Sequence, residues 1–215
     1  MSAPLAGTGR LADDLYLMAH HETSGKPYLQ PRALGICLAA GLLAELVLAE
    51  RIDLKQTTVV VIGRTTPDNA LAEDVLRRIQ NEPVWHPVPD WLLFLAQTAA
   101  EDVAFRLERA AYLVRSGTRI PGRAHRWTPK DSGIALTATI RACSALDASR
   151  PLTIHCSVLA GLAGAAGLTF RLSEHALYRT TRRLDDVIAQ LHPVLAELIR
   201  QTQAAVDSAV LSHRA

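Results

Sequence analysis

The chain has 215 residues with 23 basic and 21 acidic side chains, so its formal net charge is only +2. This balance is too even to indicate a nucleic-acid partner, and none is predicted. Cys37, Cys143 and Cys156 are odd in number and show no C-x-x-C spacing, so reduced core cysteines are predicted, and a chain of this length needs no disulfide scaffold. Residues 1–10 contain no signal-peptide core. We expect a flexible N-terminus over 1–10, a single domain over 11–215 and a cytoplasmic location.

The first half of the chain predicts helices around one β-hairpin. Aromatic residues make up only 5% of the sequence, and the abundant Ala and Leu favour closely packed helices over a β-sandwich. A short helix is predicted over 11–20. Gly25 and Pro27 then interrupt the helical pattern, and Pro31 is placed to begin a long helix that is uncharged over 33–44. The β-branched run TTVVVI predicts a hairpin over 52–62.

The second half continues the helical pattern. Helices are predicted over 68–80 and over 90–116, the latter ending at Gly117, with a break near Thr98 left open. The basic stretch 119–133 is interpreted as a loop or a second hairpin. Three helical segments follow: 134–146, 151–170, and 173 onward with a break at His192-Pro193. The predicted fold class is mainly α: a central apolar helix bundle surrounded by amphipathic helices, with one or two small β-hairpins.

The stretch from Pro151 to Phe170 has no formal charge over twenty residues, and three interpretations are open. A membrane span is disfavoured because glycines and polar residues dilute its hydrophobicity. A dinucleotide loop is disfavoured because the glycines follow G-x-x-G-x-x-G spacing, which differs from G-x-G-x-x-G. A buried helix is favoured, with Gly161 and Gly164 expected to allow close approach to the 33–44 helix.

No catalytic residue, metal site or cofactor is predicted. The histidines form no H-E-x-x-H motif, and His20-His21 is interpreted as a solvated helix end. His155-Cys156-Ser157 lacks the G-x-S-x-G context of a nucleophile, so core packing is favoured. The adjacent carboxylates of Asp13 and Asp14 point in different directions on a helix and need not share a site.

Clustered arginines give the main functional signal. Arg106 and Arg109 are three residues apart on one helical face, and the planar guanidinium group binds two phosphate oxygens at once. Arg123, Arg126 and Trp127 lie in the basic stretch, where a Trp beside Arg residues can contact lipid headgroups. The alternative is a solvated surface whose arginines pair with Asp102, Glu108 and Asp131.

The order of these features resembles the Golgi phosphoprotein 3 family. The match consists of LADDLYLMAH, a turn, LAAGLLAELVLAERIDL leading into TTVVVI, then AYLVRSG with the basic segment after it, and RPLTIHCSVLAGLAGAAGL. The resemblance covers nearly the whole chain. It implies a mostly helical fold and a non-enzymatic role.

Eukaryotic members of that family are peripheral membrane proteins that bind phosphatidylinositol 4-phosphate and adapt glycosyltransferases to the Golgi. Bacterial members lack the long N-terminal extension, and this chain is expected to be of that type. The resemblance therefore implies an anionic membrane lipid and membrane-associated enzymes such as glycosyltransferases as partners. It places the protein in the cytoplasm, peripheral on the inner face of the membrane.

The family's lipid pocket transfers only in part. It uses a Trp before the long helix, an Arg within that helix, and two Arg three residues apart on a later helix. Alignment on the quoted motifs places Gln30, Ala39, Val103 and Arg106 at those four positions, so only Arg106 is retained. Three nearby residues are candidate substitutes for the missing ones: Tyr28, Arg32 and Arg109.

Three hypotheses remain open from the sequence. The first is an adaptor that docks on anionic membrane through Arg106, Arg109 and the basic segment around Trp127. The second is a helical scaffold that binds only protein and has lost the lipid site. The third is an enzyme or small-molecule binder with a pocket near His155 and Cys156.

Overall fold

A computed structural model gives the fold and describes residues 8–63, 69–116, 126–147, 152–172 and 177–212. Within these ranges the helices are α1 Leu11–Met18, α2 Pro31–Leu48, α3 Ala70–Asn81, α4 Val88–Leu95, α5 Ala99–Arg109, α6 Ser132–Ser144, α7 Ile154–Ala165, α8 Thr169–Leu172, α9 Leu177–Ala189 and α10 Pro193–Ser212. The strands are β1 Ile52–Lys55, β2 Thr58–Val61, β3 Leu113–Ser116 and β4 Arg126–Pro129.

Helix α2 is the centre of the molecule. Its residues 33–44 are all buried, and it packs against α1, α4, α5, α7 and α10. Pro31 is its first residue, as predicted. By length and composition α2 could cross a membrane, but 72% of its residues are buried inside the protein. The predicted mainly helical fold with a central apolar bundle and small hairpins is confirmed.

The two hairpins are separate antiparallel sheets. In the first, Ile52 pairs with Val61 and Lys55 with Thr58, close to the predicted bounds. In the second, β3 pairs with β4, so that Leu113 opposes Pro129 and Arg115 opposes Trp127. The basic stretch is thus part of a second hairpin.

The predicted helix over 90–116 is wrong in its last part. The chain forms α4 and α5, with the break at Thr98, and then β3 where the helix was expected to end. Ala111 has a φ of +60°, and the amide of Tyr112 donates to the carbonyl of Leu107 at 2.9 Å. This left-handed turn closes the helix after Arg109, and the residues after it favour extended backbone. Gly117 lies outside the described residues.

The predicted partner of the α7 glycines is also wrong. Helix α7 packs on α2, but a Cβ at Gly161 would meet Ile199 of α10, and one at Gly164 would meet Leu184 of α9. The glycines of α2 make their own close approaches. Gly35 lies against the backbone carbonyl of Ala96, and a Cβ at Gly41 would lie 3.0 Å from the Cα of Ala12.

Replacement of Gly35 by Ala is expected to destabilise the protein by about 1–3 kcal/mol, because the added methyl would collide with backbone. The matched variant Gly164→Ala should be near neutral, because a terminal methyl of Leu184 can rotate away and Ala favours the helix. Urea unfolding of both variants measures the difference. Equal stabilities would contradict the close contact between α2 and Ala96.

Candidate functional site

Arg106, which the resemblance places at a lipid-binding position, is paired with acceptors inside the protein. Its side chain is only 10% exposed. The Nε and Nη2 atoms each donate to Oδ1 of Asp13 at 2.8 Å. Nη1 lies 3.4 Å from a carboxylate oxygen of Glu45 and 3.3 Å from Oδ1 of Asn69. The guanidinium is thus surrounded by protein acceptors.

Asp14, the neighbour of Asp13, forms a second buried group of charges. Its Oδ2 accepts from Nη1 of Arg141 at 2.6 Å and lies 3.3 Å from Nε2 of His155. Its Oδ1 accepts from the hydroxyl of Thr8 at 2.8 Å. The two carboxylates do point apart, as predicted, but both enter the interior. We call the two groups together the Asp13–Asp14 network.

Burial of Asp13 has a measurable consequence. Desolvation raises the pKa of its carboxyl group from 3.8 to about 6. The guanidinium of Arg106 opposes that rise, while the nearby carboxylate of Glu45 adds to it. The Arg106 guanidinium is therefore shared between the carboxylates of Asp13 and Glu45. The effect of burial on the pKa of Asp13 is larger than the opposing effect of Arg106.

The free energy of unfolding should decrease as pH rises from about 4 to about 6. The reason is that the native state binds the proton of the Asp13 carboxyl group more tightly than the unfolded chain does. The decline should reach up to about 3 kcal/mol. It should disappear in Asp13→Asn, which has no proton to lose. Urea unfolding of both proteins across this pH interval measures it, and parallel curves would contradict the raised pKa.

Replacement of Arg106 by Ala should destabilise the protein by about 3–5 kcal/mol, because two buried carboxylates lose their cation. The control Arg109→Ala, on the same helix but exposed, should change stability by about 0.5 kcal/mol or less. Thermal unfolding compares them. A small effect at both positions would show that Arg106 is free for an external ligand.

The other predicted phosphate-binding residues, Tyr28, Arg32 and Arg109, are exposed. Arg109 and Arg32 are exposed on α5 and α2. The ring of Tyr28 packs edge-on against Phe170, and the guanidinium of Arg171 lies 5.2 Å from its centroid. None of the contacts among the described residues joins Tyr28 to Arg106.

The predicted membrane-contact residues Arg126 and Trp127 line an open cleft, whereas Arg123 lies outside the described residues. We call this cleft the Trp127 cleft, and its volume is about 720 Å³. Its walls come from α1, the loop after α1, the N-terminal parts of α2 and α5, and strand β4. The lining residues are Tyr16, His20, Gly25, Lys26, Pro27, Leu34, Ala100, Glu101, Arg126 and Trp127.

Two contacts hold the loop after α1 against strand β4. Gly25 has a φ of +63°, and any Cβ there would collide with the carbonyl oxygen of Trp127. The Nε atom of Arg126 donates to the carbonyl oxygen of Ser24 at 3.1 Å. The backbone of the loop therefore lies directly on the strand, and its contact with Arg126 orients that guanidinium at the cleft.

Trp127 forms a wall of the cleft. It is 7% exposed, with Phe105 edge-on at 5.2 Å between centroids and the guanidinium of Arg115 at 4.7 Å from its ring. This stack fixes the indole in place. The ring therefore forms part of the cleft wall and does not project from the surface.

The charge of the cleft comes from Lys26 and Arg126, opposed by Glu101. His20 is buried, which contradicts its interpretation as part of a solvated helix end. It stacks on Tyr16, and its Nδ1 donates to the carbonyl of that residue at 2.7 Å. Burial lowers the pKa of His20 below 6.5, so the ring is neutral at pH 7. The cleft therefore has one net positive charge.

The residues behind the enzyme hypothesis are only partly in packed core. Cys156 is buried, whereas His155 lines a pocket of about 300 Å³ with Glu45 and Asn69. The side chain of His155 is paired with Asp14. These residues belong to the rim of the Asp13–Asp14 network, which sequence reasoning missed. The available signal was the presence of Asp13, Asp14 and Glu45 within otherwise apolar helical stretches.

Comparison with known protein families identifies a family to which this chain is similar. The family model described as Golgi phosphoprotein 3 (GPP34) matches residues 11–209, nearly the whole chain. No curated protein matches the chain.

Proposed function

The chain belongs to the Golgi phosphoprotein 3 (GPP34) family, and from this premise we propose that it is a non-enzymatic, peripheral membrane adaptor that binds an anionic phospholipid headgroup in the Trp127 cleft. Lys26 and Arg126 attract the phosphate, and Trp127 forms the wall beside it. The protein acts from the cytoplasm on the inner face of a membrane. Membrane-associated enzymes, such as glycosyltransferases, are the partners that the family suggests.

The observation that carries the proposal is the position of the two cations at one open cleft. Lys26 and Arg126 are both exposed, and both line it. A phosphate oxygen can accept from a guanidinium and an ammonium at once when both reach the same anion. A cleft with a low-dielectric wall such as the Trp127 ring strengthens that attraction.

The residues aligned with the family pocket support a different location for the headgroup in this chain. Ala39 and Val103 are fully buried, so neither position faces an external ligand. Gln30 is exposed but uncharged, and Arg106 is bonded to Asp13 and Glu45. The lipid specificity of the eukaryotic members therefore does not predict which lipid this chain binds. We propose that the chain recognises the negative charge of the phosphate group.

Co-sedimentation with vesicles tests the proposal. The double variant Lys26→Ala/Arg126→Ala should bind phosphatidylcholine vesicles containing phosphatidylserine or a phosphoinositide about 10-fold or more weakly at low salt. Glu101→Gln should bind them more tightly, because it removes the opposing charge from the cleft. Vesicles of phosphatidylcholine alone should recover little of any variant.

The matched control is Lys55→Ala/Arg200→Ala, which removes one Lys and one Arg from exposed sites on β1 and α10. Its net charge equals that of the cleft variant, so equal losses in both would show that the Trp127 cleft has no specific role. Binding to neutral and anionic vesicles alike would also refute the proposal. Because none of these variants touches Arg106, a loss of binding cannot arise from the Asp13–Asp14 network.

One observation favours a protein-binding scaffold as the second candidate. Trp85 is 70% exposed, and Val84 and Phe94 are also exposed close to it in the chain. Large exposed apolar side chains mark interaction surfaces when they lie together. If anionic vesicles recover none of the protein, the scaffold becomes the better explanation.

A further inference from the structure

A second cleft lies between the end of α3 and the start of α4, away from the Trp127 cleft. Its volume is about 380 Å³, which lies within the size range of small-ligand sites. We call it the Phe94 cleft. Its lining includes Arg78, Glu82, His86, Asp90, Trp91 and Phe94.

Three aromatic rings follow one another along this cleft. His86 and Trp91 meet edge-on with centroids 6.1 Å apart, and Trp91 and Phe94 meet edge-on at 5.9 Å. Phe94 is 50% exposed, so part of its ring is available to a ligand. The face of an aromatic ring carries negative potential and attracts cations.

Two carboxylates flank the same rings. A carboxylate oxygen of Glu82 lies 3.5 Å from the His86 ring, and one of Asp90 lies 3.7 Å from it. Both carboxylates are partly exposed. The cation in the lining, Arg78, is bonded to Asp74 at 2.6 Å. The carboxylates in the lining, Glu82 and Asp90, therefore outnumber its guanidinium group.

Trp91 provides a local reporter. It is buried, and its Nε1 donor has no hydrogen-bond partner among the described residues. An indole N–H without a partner responds directly to a change in its surroundings. Trp85 and Trp127, the other two tryptophans, do not line this cleft.

We propose that the Phe94 cleft binds a small organic cation of the alkylammonium or quaternary ammonium class. The aromatic faces receive the charged head, and Glu82 and Asp90 neutralise it. A hydrated inorganic ion would gain nothing from the rings, whereas a methylated ammonium is weakly hydrated and fits an aromatic wall. A neutral apolar ligand would gain no electrostatic attraction from the two carboxylates.

Titration of the full chain with choline tests the proposal, with the indole N–H signals of an isotope-labelled sample as the readout. Each signal is assigned with a Trp→Phe variant. Choline should shift the Trp91 signal saturably, with a Kd on the order of 1 mM, and leave Trp127 unmoved. The neutral isostere, in which carbon replaces the ammonium nitrogen, should give no saturable shift.

The variant Glu82→Gln/Asp90→Asn should weaken choline binding roughly 3- to 10-fold, and Phe94→Leu should weaken it as well. The matched control Glu73→Gln/Asp207→Asn removes two exposed carboxylates elsewhere on the surface and should bind as the parent does. Unchanged melting temperatures show that the variants are folded.

Three results would overturn the proposal: no saturable shift of Trp91, equal shifts with the neutral isostere, or equal affinity in the Glu82→Gln/Asp90→Asn variant and its control. Phosphatidylcholine vesicles carry the same ammonium on a lipid, and because they should recover little of the protein, a soluble cation is the expected ligand. Vesicle binding that Phe94→Leu abolishes would assign the cation to a headgroup, whereas a response to choline alone would assign it to a soluble ligand.

Discussion

The burial of two adjacent carboxylates in α1 is the constraint on which the rest of the structure depends. Asp13 bonds Arg106 of α5, and Asp14 bonds Arg141 of α6 and lies beside His155 of α7. A carboxylate inside an apolar bundle is costly unless a cation meets it. Successive residues on a helix point about 100° apart, so the two pairs fix the rotation of α1 against three neighbouring helices at once. Hydrophobic contact alone would allow that helix to slide.

This use of charge decides where function can lie. An arginine that neutralises an internal carboxylate cannot also receive an external phosphate without leaving that carboxylate unpaired. Arg106 is committed in this way, whereas Lys26 and Arg126 line the Trp127 cleft. The family fold is therefore compatible with a headgroup site made from loop and hairpin residues, even where the aligned helix positions Ala39 and Val103 are core.

Local signals in the sequence were sufficient for much of the fold. Pro31 marks the start of α2, the β-branched run forms the first hairpin, and Pro193 begins α10, each because a single residue or short run restricts the backbone. The strand β3 was missed because helical spacing continues past Arg109, whereas the stop depends on the left-handed conformation of Ala111. The buried ion pairs of Arg106 could not be predicted from local sequence, because their partners Asp13 and Glu45 lie 93 and 61 residues away in the chain. The sequence signal for these ion pairs was the presence of Asp13 and Glu45 in otherwise apolar helical stretches.

The contact between the loop after α1 and strand β4 joins parts of the chain that are far apart in sequence. Ser24 and Arg126 are 102 residues apart, and Gly25 rests on the backbone of Trp127. Residues of both segments line the Trp127 cleft. A ligand that fills the Trp127 cleft therefore recognises only the native chain, and by mass action it shifts the folding equilibrium toward the native state. Membrane docking would thus protect the whole domain against unfolding and proteolysis.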